Sequence, residues 1–195
     1  MTIATNQEVD LGSEQDFGVV VDESTLRFER LLPGPVERVW AYLTEPEKLA
    51  RWIATPTSAV GADTTVEFTW DHSKLSPHKE PTPPQYQQFQ GMVSRWRVTR
   101  FEPPRVLSWI WDEGTESESE VTVELTPQAD DVQLVLTHSR IPKAESIAET
   151  MGGWHTHLAI LADNLAGREP RPFWSTHAAV QDEYARRNRS SQSKR

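Results

Sequence analysis

Five runs in the middle of this 195-residue chain alternate apolar with polar residues, and that period dictates most of what the chain can become. "TTVEFTW" places Val66, Phe68 and Trp70 on one side of an extended backbone, and "GMVSRWRVTRF" places Met92, Trp96 and Val98 on one side with Arg95 and Arg97 on the other. "RVLSWIW" sets Leu107, Trp109 and Trp111 in alternation. "EVTVELT" does the same for Val121, Val123 and Leu125, and "VQLVLTH" for Leu134, Leu136 and His138. Side chains two apart share a strand face, so each run reads as a strand buried on one side. Links such as Glu102-Pro103-Pro104 and Gln128-Ala129-Asp130 are too short to carry a crossover, which makes consecutive strands antiparallel neighbours. A sheet that is apolar on one face and charged on the other needs a cover on the apolar face.

A helical stripe near the end supplies that cover. In "GGWHTHLAILADNLAG", residues Trp154, Leu158, Leu161 and Leu165 recur at helical spacing and Gly167 closes the run. Upstream, "FGVVVDESTLRFERLL" reads as a hairpin turning at Asp22-Glu23-Ser24. In "PVERVWAYLTEPEKLARWI", Pro35 suits the first position of a helix whose apolar face is Val36, Val39, Trp40 and Leu43. Thr44 to Glu47 has the pattern of a capping box opening a second short helix, with Leu49, Trp52 and Ile53 inward. The expected fold is α+β: strand, two short helices, a run of antiparallel strands and a long C-terminal helix.

Residues 1–16 are polar and acidic and read as a flexible arm, residues 17–167 as the folded domain, and 168–195 as an extension with a basic tail. Within the extension, "STHAAVQDEYARR" has only a thin apolar face for a short helix. The stretch "DHSKLSPHKEPTPPQYQQ" after Trp70 carries too many prolines to continue a sheet and reads as a loose surface loop at the rim, with a lid as the alternative.

Composition removes several classes of function. The net charge of −9 disfavours a nucleic-acid partner, whose phosphates supply most of such affinity. No apolar run is long enough to cross a bilayer, and the chain does not open on a basic-then-apolar signal. The absence of cysteine removes disulfides and thiolate metal sites and fits a cytoplasmic setting. A nucleophile elbow, a zinc-protease helix and a phosphate-cradling glycine loop are all missing, so no catalytic residue, cofactor or metal is assigned.

"LPGPVERVWAYLTEPEKLARWI", the strand runs and "GGWHTHLAILADNLAG" together resemble the helix-grip (START-like, or SRPBCC) superfamily, and within it the activator-of-heat-shock-ATPase homologues. The resemblance spans Ser24 to Gly167. It implies a curved antiparallel sheet wrapped around the long helix, with a cavity between them and the two short helices near its mouth. Trp40 is then expected in the core and Trp52 at the cavity mouth.

Eight tryptophans and a few inward histidines point to what that cavity would hold. The expected pocket residues are Trp52, Trp96, Trp109, Trp111, His138, Trp154, His157, Leu158 and Leu161. Tryptophan offers a flat apolar wall with one donor, which suits a ring or a fatty chain. His155 and His157 lie two apart on a helix and cannot share a metal unaided, whereas His138 and His157 are placed to face one another. Such a pair could hold a carboxylate, a phenol or a carbonyl.

Three readings follow. The first is a binding module for a small apolar or aromatic molecule of drug-like size, in stress or secondary metabolism. The second is a co-chaperone-like interaction domain with a chaperone partner. The third is a polyketide cyclase or aromatase, for which His138 and His157 would be the acid–base pair. The expected assembly is a monomer or a weak homodimer.

Overall fold

Each alternating run becomes a strand, but "RVLSWIW" is not buried on one side only: Val106, Ser108 and Ile110 are buried as well as Leu107 and Trp109. The computed structural model describes residues 9–192, so the first eight residues of the expected arm and the last three of the basic tail lie outside the described residues. The hairpin is β1 (Val19–Asp22) and β2 (Thr25–Pro33), followed by α1 (Val36–Thr44), α2 (Pro46–Leu49) and the two-residue β3 (Thr55–Pro56). Then come β4 (Thr65–Thr69), β5 (Val93–Glu102), β6 (Val106–Trp111), β7 (Ser119–Gln128) and β8 (Asp131–Ser139). Two helices finish the described chain, α3 (Ala144–Leu165) and α4 (Phe173–Gln192).

Among the described residues the strands form one eight-stranded antiparallel sheet in the order β1-β2-β8-β7-β6-β5-β4-β3. The first hairpin returns beside the last strand, with Phe28 opposite Leu136, so the sheet curves around α3. This is the helix-grip arrangement. Trp154, Leu158, Leu161 and Leu165 on α3 are each at most 3% exposed, as are Phe28, Val121, Leu134 and Leu136 on the sheet facing them. At the far edge β1 has no second neighbour among the described residues, and Val19, Val20 and Val21 are all more than half exposed.

Several expectations need correction. Pro35 is the N-cap of α1, one residue outside the helix. The expected capping box does not form: Thr44 ends α1 and its hydroxyl donates back to the carbonyl of Trp40 at 3.0 Å, so Glu45 takes the N-cap position of α2. Helix α3 extends well beyond the quoted stripe, beginning eight residues before the glycine pair and running straight through Gly152 and Gly153. A methyl group on Gly152 would lie 2.4 Å from Nε2 of Gln181 on α4, so the end of that side chain packs directly over the glycine.

The extension and the loop also differ from expectation. The extension forms a 20-residue helix that buries Phe173, Trp174, Val180 and Tyr184 against α3. Asp163 on α3 holds the connecting segment through Arg168 at 2.8 Å and Arg171 at 2.7 Å. Of the arm, Leu11 packs on the core, as does Phe17 just after it, and the Leu11 carbonyl lies 3.0 Å from His155 Nε2. The 71–88 segment is not a loose rim. Leu75 is 2% exposed, the Ser76 hydroxyl donates to the Pro170 carbonyl at 3.0 Å, and the Glu80 carboxylate accepts from the Trp174 amide at 2.8 Å. The segment is tied to the N-terminus of α4, where a carboxylate complements unpaired amides and the helix dipole.

Candidate functional site

A cavity of about 230 Å³ lies where the sheet, α3, α4 and the 71–90 segment meet. The sheet contributes Trp70, Trp111 and His138; α3 contributes Gly153, Trp154 and His157; α4 contributes Phe173, Trp174 and His177. His72, Tyr86, Phe89 and Met92 come from the segment between β4 and β5, and Glu149 and Thr150 stand at the start of the α3 wall. Helical spacing explains the α3 wall: Thr150, Gly153, Trp154 and His157 fall three or four residues apart and so share one face. Gly153 is part of the reason for the hollow. A methyl group built there meets nothing within 4 Å.

Of the nine residues expected to wall a pocket, Trp111, His138, Trp154 and His157 line this cavity. The other five do not. Trp96 is stacked between Phe68 at 3.8 Å and Trp109 at 4.8 Å, and Leu158 and Leu161 are fully buried in the core beside them. Trp52 is 2% exposed, and its indole donates to the Tyr42 carbonyl at 2.8 Å instead of reaching a cavity mouth. Trp52 still matters to the site through its backbone, because its carbonyl lies 2.7 Å from Nδ1 of His157.

The histidines are held neutral. Burial pushes His72, His138 and His177 down to about 4 and His157 to about 3, with neighbouring histidines adding to the effect at His72 and His157. The Trp154 indole N–H donates to His138 Nδ1 at 3.0 Å, so the His138 proton sits on Nε2, which lies 2.8 Å from the Ser119 hydroxyl. Both nitrogens of His138 are thus engaged. At His157 a carbonyl can only accept, so Nδ1 carries the proton and Nε2 carries the lone pair. His72 packs against that ring at 5.5 Å and against Phe173 at 4.3 Å. Glu149 is the one charged side chain among the described residues lining the cavity.

His72, Tyr86, Phe173, Trp174 and His177 were not among the expected pocket residues. A signal for them exists: Phe173, His177, Val180 and Tyr184 repeat the spacing of the α3 stripe. It appears only if the helix is started at Phe173 and histidine is counted as inward.

The sequence pattern of the family described as "Activator of Hsp90 ATPase homolog 1-like protein" matches residues 33–166. The chain belongs to that family. Several solved structures are similar to this one. A Bordetella parapertussis protein solved by NMR is 43% identical over 87% of this chain and 89% of its own, with a TM-score of 0.71. CalU16 from Micromonospora echinospora is 23% identical over 83% of this chain and 86% of its own, at a TM-score of 0.60. The Aha1 dimer from Colwellia psychrerythraea is 18% identical over 72% of this chain and 95% of its own, at 0.57. The last two are likenesses of fold alone. No curated protein matches the sequence. The family match ends at Ala166, so Phe173, Trp174 and His177 enter the cavity from beyond the matched region. Among the described residues no helix is long and apolar enough to cross a membrane, and no cluster of side chains could hold a metal ion.

Proposed function

We propose that this protein binds a compact, largely apolar aromatic molecule in the cavity between α3, α4 and the sheet. One observation carries the reading: an aromatic-walled hollow of about 230 Å³ remains open because Gly153 presents no side chain to it. Concave, largely apolar hollows with a few polar groups in the wall are the usual form of small-molecule sites. Drug-sized ligands occupy pockets of roughly 300–1,000 Å³, and an engineered void of about 150 Å³ takes benzene. The occupant is therefore smaller than drug-like, one or two fused rings with short substituents.

The experiment fills the hollow. Gly153→Leu should keep the fold and abolish binding of naphthalene-sized probes, whereas Gly153→Ala should retain most binding and raise stability by roughly 0.5–1 kcal/mol through helix propensity. Calorimetric titration and thermal melts read both. Equal probe affinity in the wild type and Gly153→Leu would remove the cavity as the site. Failure of every probe to bind the wild type would remove the binding reading and favour an interaction domain, with the free valine edge of β1 as its surface.

A further inference from the structure

The residues that hold His157 also select among the ligand chemistries that an imidazole-lined pocket could accept. This step rests on the binding reading above. The ring's one proton is committed to the Trp52 carbonyl at 2.7 Å, within a side chain only 5% exposed. Its Nε2 has no partner among the described residues. It is also not among the side-chain atoms sealed away from a water-sized visitor, so it is reachable from the cavity that His157 lines. The wall therefore offers a fixed hydrogen-bond acceptor. A carbonyl cannot use it, because two acceptors do not bond.

A carboxylate fares no better. Among the described lining residues there is neither lysine nor arginine, and the charge present is that of Glu149. An anion brought into such a site would find no cation to offset its burial, because burial keeps the lining histidines neutral. A hydroxyl on an aromatic ring meets both conditions. It is neutral near pH 7, donates one hydrogen bond, and carries the flat apolar body that the surrounding rings fit. His138 does not compete for it, since Ser119 and Trp154 already engage both of its nitrogens.

We propose that the cavity selects neutral hydroxyarenes, with the phenolic O–H donating to Nε2 of His157 while that ring's Nδ1–H is fixed on the carbonyl of Trp52.

The test compares four probes of one size on the full-length wild type: 2-naphthol, 2-methoxynaphthalene, naphthalene and 2-naphthoate. The expected order is 2-naphthol first, by roughly ten-fold or more over 2-methoxynaphthalene, because methylation removes the donor and leaves His157 unpaired. Naphthalene should bind near the methoxy compound, and naphthoate weakest. The ring-nitrogen NMR signal of His157 Nε2 should move on adding 2-naphthol and stay with 2-methoxynaphthalene. His157→Gln should shrink the naphthol preference while leaving naphthalene binding largely intact. Equal binding of naphthol and its methyl ether, an unmoved Nε2 signal, or tightest binding of naphthoate would each overturn the proposal while leaving the cavity as a binding site. Silence of all four probes would overturn the binding reading and this proposal with it.

Discussion

The two tryptophan-rich halves of the molecule differ in how their rings meet. Under β4, β5 and β6, Phe68, Trp96 and Trp109 stack within 26° of parallel and leave no space between them. Toward α4 several rings meet at angles instead: Trp111 stands 67° from Trp154, and Trp70 stands 66° from His157, with centroids 5.4 and 5.9 Å apart, although Tyr86 and Trp174 lie 15° from parallel and Phe173 and His177 13°. Stacked rings fill volume as coins do, and edge-on rings leave gaps. The angled half also holds four histidines, each a ring with one edge that must find a polar partner or face an opening. Aromatic content alone does not make a pocket. What separates core from cavity here is what stands opposite the rings, such as the bare backbone of Gly153.

Acid should break this contrast most strongly. Five histidines, the four at the cavity and His155 under α4, have folded pKa values of about 3 to 4, below the ordinary value of 6.5, because burial disfavours their charged forms. Between those values the unfolded chain binds protons that the folded chain does not. The stabilising contribution is therefore complete above about pH 6.5 and is lost as pH falls toward 4. For one fully buried ring the loss at pH 5 is on the order of 2 kcal/mol. Urea midpoints at pH 7 and pH 5 avoid most carboxylate titration. The midpoint should fall markedly at pH 5, and identical midpoints would show that these rings titrate normally.

The second effect separates filled from hollow directly. Leu161 is fully buried beneath the sheet, so Leu161→Ala should cost about 2–5 kcal/mol. Met92 lines the cavity and is 38% exposed, so Met92→Ala should cost about 1 kcal/mol or less. Denaturant unfolding of both variants reads the difference. Similar losses would mean that the cavity wall is packed like the core.

Much of the filled half was legible from period alone, since Val66, Phe68, Val121, Leu134 and Leu136 sit where alternation puts them. The hollow half was legible only in part. Alternation turns Trp96, Trp109 and Trp111 to the same face, and a one-dimensional pattern cannot tell which of them has a glycine or an angled ring opposite. Glycine disfavours helix interiors, yet α3 runs through both Gly152 and Gly153. Inside α3, Gly152 lies under the end of the Gln181 side chain and Gly153 leaves open space. The 71–88 segment looked loose because prolines and polar residues forbid strands. Its order comes instead from long-range contacts, such as Tyr86 stacked 5.2 Å from Trp174, that no local pattern encodes.

The smallest effect tests whether that segment is a fixed wall of the hollow half. Glu80 lies 94 residues from Trp174 in sequence, yet its carboxylate accepts from the Trp174 amide at 2.8 Å and from the Ser175 amide at 3.3 Å. Those amides open α4 and have no intrahelical partners, so Glu80 acts as a cap delivered from another part of the chain. Glu80→Ala should cost about 1 kcal/mol, in the range of cap losses. Because His72 and Tyr86 flank Glu80 on the same segment and line the cavity, hydrogen exchange should also quicken at the Trp174 and Ser175 amides. Amides in β7 and β8, far from the cap, should exchange as before. Glu80→Gln keeps an acceptor but loses the charge, so its loss should be smaller, about half. Unchanged exchange at Trp174 and Ser175 in Glu80→Ala would mean that the segment and α4 are held together by Tyr86, Trp174 and Ser76 without this cap.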